Sequence, residues 1–219
     1  MPPCPESAVE NRRDPPSTKP IGELVQLPLA DWDLATWHTG SMNHVGGNHD
    51  RGQSSDFSIR SATLLDAEAI RQIYNDEVEN STATMDLVPR TLEEQRQWQI
   101  ERSGAFTTLV AVDSSGSVLG FAALSPYKER AAYRPTVEDS VYVHSSRIGR
   151  GVGKALLTAI VDAAAESGFH SVIARISSSG EASQALHRAC GFREIGREIE
   201  VARKFNRWID VIVMQRMLQ

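Results

Sequence analysis

From residue 57 onward the chain alternates between two rhythms of apolar and polar positions. Short runs rich in β-branched and aromatic residues predict strands over Phe57–Thr63, Phe106–Asp113, Val118–Leu124, Thr136–Val143, Ser171–Ile176, about Phe192–Val201 and Arg207–Met217. Between them apolar residues return at helical spacing. Ala67, Ile70, Ile73, Tyr74 and Val78 share one face behind Asp66, a residue suited to cap a helix. Thr91 and Glu94 form a capping box for a helix reaching about Ser103. A third helix opens at Gly151, turns Leu156, Leu157, Ile160, Val161 and Ala164 inward, and stops at Gly168. A fourth, Glu181–Cys190, carries Ala182, Ala185, Leu186 and Ala189 on one face. Ser114-Ser115-Gly116 marks a hairpin between two of the strands. This order predicts an α/β fold (a mixed sheet flanked by helices).

Residues 1–56 lack either rhythm. Prolines at 2, 3, 5, 15, 16 and 20 precede a Gly-, Ser- and His-rich stretch, so this part reads as a disordered tail ahead of a domain at 57–219. Only Leu24–Trp37 is apolar enough to dock, and Met42 offers an internal start. His38, His44, His49 and Asp50 fit no metal-ligand spacing, and no metal is expected. The formal net charge of −5 argues against a nucleic-acid or anionic-membrane partner. Of that charge the tail holds −4 and the domain −1. Cys4 and Cys190 are too unlike in context for a disulfide framework, and Cys190 reads as a small core residue. With no long apolar run and no secretory signal, the expected location is cytoplasmic.

Candidate chemistry concentrates in VYVHSSRIGRGVGKALL, Val141–Leu157. A strand feeds a loop in which Gly149, Gly151 and Gly153 alternate with Arg150 and Lys154, and the loop opens into a helix. Such a loop turns backbone N–H groups toward a phosphate, and the helix start and the two cations add positive charge. A Walker A loop is excluded, because Ala155 follows Gly153-Lys154 and Ile148 stands where the first glycine belongs. A dinucleotide fingerprint fails as well: from Gly149 its last position is Lys154, and from Gly151 it is Leu156.

The loop resembles the acetyl-CoA pyrophosphate loop of the GNAT N-acetyltransferases, with Gly151-Val152-Gly153 at its end and Ile148 at its usual Arg or Gln position. The strings YRPTVEDSVYVH (Tyr133–His144), ALHRACGF (Ala185–Phe192), RKFNRWIDV (Arg203–Val211) and IYNDEVENSTATMDLVPRTLEE narrow the resemblance to the phosphinothricin N-acetyltransferase branch. It spans residues 57–218 and implies a central mixed, mostly antiparallel sheet and acetyl-CoA as co-substrate. A small amino acid of the phosphinothricin, methionine sulfoximine or methionine sulfone type is the implied acceptor, and a homodimer the implied assembly. Acetylation of a polyamine or a protein N-terminus, and a non-catalytic CoA-binding module, are the alternatives.

Amide formation from a thioester needs a base for the amine and stabilisation of the leaving thiolate. The resemblance makes Glu138 the base and His187 the group near the sulfur, and alternation along the strand sends Asp139 to the opposite face, in the role of a solvated charge. The backbone of Val141, Tyr142 and Val143 is expected to pair with the pantetheine arm as an added strand would. The cofactor loop adds Gly149, Arg150, Gly151, Val152, Gly153 and Lys154. Ser183 matches a cofactor-contacting serine of the family, and Gly180 replaces a common asparagine. Tyr133, Arg134 and Lys204 are the expected substrate contacts.

Overall fold

The computed structural model describes residues 56–102 and 104–218. The tail, the docking segment Leu24–Trp37, Met42 and the histidines at 38, 44 and 49 lie outside the described residues. Strands β1 (Phe57–Ser61), β2 (Thr108–Asp113), β3 (Val118–Pro126), β4 (Thr136–Val143), β5 (Ser171–Ser177), β6 (Arg193–Lys204) and β7 (Arg207–Met217) form one sheet in the order β1-β2-β3-β4-β5-β7-β6. Neighbours run antiparallel except β4 and β5, which are parallel. The helices are α1 (Ala67–Asn80), α2 (Leu92–Glu101), α3 (Val152–Glu166) and α4 (Glu181–Ala189). The expected mixed sheet is therefore present, with most boundaries within a few residues of those predicted. Among the described residues no helix is long and apolar enough to cross a membrane.

Strand alternation divides the core between the two faces of the sheet. Leu109 and Ala111 of β2 point toward α3, where Leu156, Leu157, Ile160 and Val161 are buried. Val110 and Val112, one residue out of phase, join Ile70, Ile73, Tyr74 and Val78 of α1 and Phe121 of β3 on the other face. The helical faces read from periodicity in α1 and α3 are the buried ones.

Helix α4 departs from its predicted face. Ala182, Ala185 and Ala189 are exposed, whereas Gln184 and His187 are buried and Leu186 is half-buried. The polar ends of the sheet explain the rotation. Gln184 Nε2 donates to the carbonyls of Ser177 (3.4 Å) and Ser178 (3.1 Å), and His187 reaches Asp139. Groups of this kind cost more when buried unpaired than a few exposed alanine methyls gain by burial.

β4 and β5 pair only through Thr136, Val137 and Glu138 with Ser171, Val172 and Ile173. β4 then continues to Val143 and β5 to Ser177 without pairing, so the strands open into a fork at their carboxyl ends. On its other side β4 stays paired with β3 as far as Val143. Beyond Glu138 the inner edge of β4 is thus an exposed ladder edge at the place where open α/β sheets take their ligands.

Candidate active site

The 149–154 segment, expected from the sequence to hold the cofactor, follows β4 and opens α3. Gly149 and Gly151 adopt φ of 79° and 82°, and Gly151 is the N-cap of α3. A Cβ on either would meet nothing within 4 Å, so backbone conformation and not crowding calls for glycine there. Gly153 differs: a Cβ would lie 3.3 Å from Leu186 and 3.5 Å from Val143, which places α3 tightly against the fork. Val152 is buried, as are the inward faces of Val141 and Val143, so these residues have only backbone groups to offer a ligand. The Tyr142 ring packs edge-on to Tyr74 at 5.3 Å on the α1 face, leaving its backbone likewise. Arg150 and Lys154 are exposed on the loop, while Arg147 is tied to Asp113 at 3.6 Å and Ile148 points outward. Gly180 precedes α4 in a tight corner, where a Cβ would sit 3.1 Å from both Ile176 and the Ser177 carbonyl. An asparagine would be crowded in this corner. The free β4 edge, the positive-φ loop and the α3 start fit an extended thioester arm that ends in a pyrophosphate.

Glu138 and Asp139 are neighbours with opposite surroundings. Glu138, the last residue of β4 paired with β5, is half-buried on the α1 face beside Ile173, with Ser125 opposite it on β3. Burial pushes its carboxyl above the ordinary glutamate range, Arg175 pulls it down, and Asp139 and Glu198 push it up again. A carboxylate of this kind, short of hydrogen-bond donors, is a competent proton acceptor.

Asp139 is not the solvated charge expected from alternation. It is 6% exposed, on the α3–α4 face, and its Oδ2 accepts from His187 Nε2 at 3.1 Å. The opposite face of β4 is no surface here, because α4 closes over it. His187 is 3% exposed; its Nδ1 donates to the Ser183 carbonyl at 2.7 Å and its ring stands edge-on to Phe192 at 5.0 Å. A carbonyl only accepts, so Nδ1 carries a hydrogen, and Nε2 faces the Asp139 carboxyl. Desolvation alone would lower its pKa, but the Asp139 hydrogen bond and charge, with the Ser183 carbonyl, outweigh it and the net shift is upward. In this arrangement both ring nitrogens are engaged, one by the Ser183 carbonyl and the other by Asp139. The ring joins α4 to β4 across the root of the fork, and Ser183 contributes chiefly the carbonyl that holds it.

The α1 face is roofed by the segment between α1 and α2. Thr82 Oγ1 shares hydrogen bonds with Ser177 (3.1 Å) and Ser179 (2.9 Å) at the end of β5. Tyr74 donates to Asp86 at 2.6 Å and is within 2.9 Å of Thr84; burial and Asp86 push its phenol up to about 12, so it stays protonated. Arg90 stacks over the Tyr74 ring at 3.7 Å.

Lys204 is part of this roof. It is 4% exposed, and its Nζ donates to the carbonyls of Glu77 (3.3 Å) and Thr84 (2.9 Å). The two-residue turn Phe205-Asn206, with φ of 50° and 60°, folds the β6–β7 hairpin so that Lys204 ends up against α1. The turn thereby brings this expected substrate contact into the hydrogen bonding of the roof. Tyr133 and Arg134 lie exposed before β4, with the Tyr133 ring edge-on to Tyr127 at 5.9 Å. Three residues escaped the sequence reading: Asp139 in its paired role, Thr82, and Arg175. Only Arg175 left a signal, a lone cation inside the otherwise uncharged run SVIARIS.

The acetyltransferase (GNAT) domain family matches residues 59–213. The chain is a GNAT acetyltransferase. An L-methionine sulfoximine/L-methionine sulfone acetyltransferase of Pseudomonas aeruginosa is 40% identical over 159 residues, covering 72% of this chain and 92% of the relative. Among solved structures, a Sinorhizobium meliloti phosphinothricin acetyltransferase in complex with acetyl-CoA is 36% identical with a TM-score of 0.72, covering 74% of this chain and 89% of the other. A ribosomal-protein-alanine N-acetyltransferase from Brucella melitensis is 40% identical with a TM-score of 0.71, covering 74% and 99%. This GNAT domain is accordingly an acetyl-CoA-dependent N-acetyltransferase. Among the described residues no group of His, Cys, Asp and Glu is arranged to hold a metal.

Proposed function

We propose that this acetyltransferase moves the acetyl group of acetyl-CoA to the α-amine of a small amino acid of the phosphinothricin, methionine sulfoximine or methionine sulfone type. The observation that carries the reading is the half-buried Glu138 carboxylate at the mouth of the β4–β5 fork, on the acceptor face. The names of relatives at 36–40% identity supply the acceptor class. In this mechanism Glu138 takes a proton from the acceptor ammonium, directly or through a water. The freed amine adds to the thioester carbonyl and forms the C–N bond; the tetrahedral adduct then breaks its C–S bond, and the proton that the nitrogen loses on becoming an amide goes to the departing thiolate, so that CoA leaves as its thiol. Backbone N–H groups of β4 hold the thioester, and the 149–154 loop with Arg150 and Lys154 holds the pyrophosphate. His187 and Asp139 fix α4 against β4 so that the fork keeps one width.

The test is thiol release by purified protein with acetyl-CoA and each of the three acceptors. Turnover of at least one is expected, and turnover of none overturns the substrate class. The Brucella protein's name favours a second reading, acetylation of a protein N-terminus. Peptide acceptors in the same assay separate the two. We also propose a homodimer through the β6 edge, where Ile195, Ile199 and Val201 of the strand and Trp208 beside it are 50–76% exposed. Light scattering on an Ile195→Lys/Val201→Lys double variant tests it, with a monomer as the expected result.

A further inference from the structure

We propose that Arg175 recognises the α-carboxylate of the acceptor, which would make this acetyltransferase selective for free α-amino acids over simple amines and peptide N-termini. The inference rests on the amino-acid reading above and starts from the pattern of β5. Residues 171, 173, 175 and 177 point to the face that bears Glu138. Ser171, Ile173 and Ser177 of that row are 2–3% exposed, yet the Arg175 side chain is 40% exposed. The roof that covers Ser177 through Thr82 therefore stops short of Arg175, and an opening remains in the face at this position. The opening lies one strand across and two residues along from Glu138, roughly 8 Å or more between Cα positions, since β5 parts from β4 beyond Ile173.

An α-amino acid suits that interval. Its amine and carboxylate hang from one carbon, and a hydrogen bond of about 3 Å at each end lets it bridge Glu138 and Arg175. The guanidinium is also available. Among the described residues its one polar partner is Glu198, bound through Nη2 alone, and that pair is 40% and 42% exposed. A single-point pair in water is weak, whereas a substrate carboxylate can engage a guanidinium through two parallel N–H bonds. Arg175 also reaches Glu138 electrically, as its downward pull on that carboxyl shows. It sits, then, on the same face as the base, within range of it, and lightly held.

The experiment compares wild type, Arg175→Met and Arg175→Lys with methionine sulfone and with the amine that differs from it only by loss of the carboxylate. The wild type is expected to prefer the amino acid by at least tenfold in kcat/KM. Arg175→Met should raise KM for methionine sulfone tenfold or more, leave KM for acetyl-CoA within twofold, and erase the preference. Arg175→Lys should recover part of it. A methionine sulfone KM within twofold of wild type, with the preference kept, overturns the proposal. Failure of the substrate class itself looks different. A wild type inert toward all three named acceptors is then melted with CoA and the common amino acids. Stabilisation lost in Arg175→Met supports the carboxylate site, and stabilisation by none, or equally in both proteins, overturns it. Because Arg175 is a strand residue with an exposed side chain, Arg175→Lys preserves the stem and guards against a folding defect in Arg175→Met.

Discussion

Glu138 and Asp139 are adjacent carboxylates on one strand, and the two faces of β4 put them to different uses. On the α1 face Glu138 is half-buried, with like charges at Asp139 and Glu198 and a loosely held cation at Arg175. Its proton affinity is raised and its oxygens are unencumbered. On the α4 face Asp139 meets the His187 ring in a site both side chains share at 4% exposure or less. Desolvation acts on both faces; what differs is whether a hydrogen-bonded opposite charge answers it. Where none does, the carboxyl is left able to take up a proton. Where one does, the result is a rigid link.

The largest effect that sharpens this contrast is expected from Glu138→Gln. Turnover should fall roughly 10²–10⁴-fold, with acetyl-CoA affinity unchanged in calorimetry. Asp139→Ala should instead unfold readily, losing about 3–5 kcal/mol in denaturant titration because a buried imidazole is left unpaired. A rate loss without a stability loss in Asp139→Ala would break the division of roles. Gly151→Val forces a β-branched residue to φ near 82° and should weaken acetyl-CoA binding about tenfold at little cost to the acceptor KM.

Two pH measurements probe the same contrast more finely. The His187 pKa is raised on folding, so the pair's stabilisation is fully present below the unfolded value, near 6.5. It is lost as pH rises through the higher folded value. The melting temperature of wild type should show this loss and that of Asp139→Asn should not. For catalysis, the acidic limb of kcat/KM should lie above the ordinary glutamate range, and Arg175→Met should move it higher by removing the cation that lowers Glu138. The smallest effect is expected at Lys204. Lys204→Met removes donors from two carbonyls and should cost about 1–2 kcal/mol of stability while leaving the acceptor KM within twofold.

Local rules made most of the framework readable in advance. Alternation located β1 to β7, helical spacing named the buried faces of α1 and α3, and the Thr91–Glu94 capping box is present with both its bonds. The glycine positions of the cofactor loop were also legible, since positive φ is a property of single residues. The sequence by itself thus determined the elements, their order and the glycine loop, and through resemblance it singled out Glu138 as the proposed base.

What it left open depends on which element lies across from each side chain. Alternation sends Asp139 away from Glu138, but only the packing of α4 decides whether that direction is solvent or a histidine 48 residues away. Lys204 reads as a free cation until the hairpin turn carries it against Glu77 and Thr84, 127 and 120 residues earlier. The rotation of α4 was hidden for the same reason, because its buried face answers to strand-end carbonyls and not to its own apolar count. Period and propensity act over a few residues, whereas the balance of desolvation and pairing at a charged group is set by partners the chain brings together only when it folds.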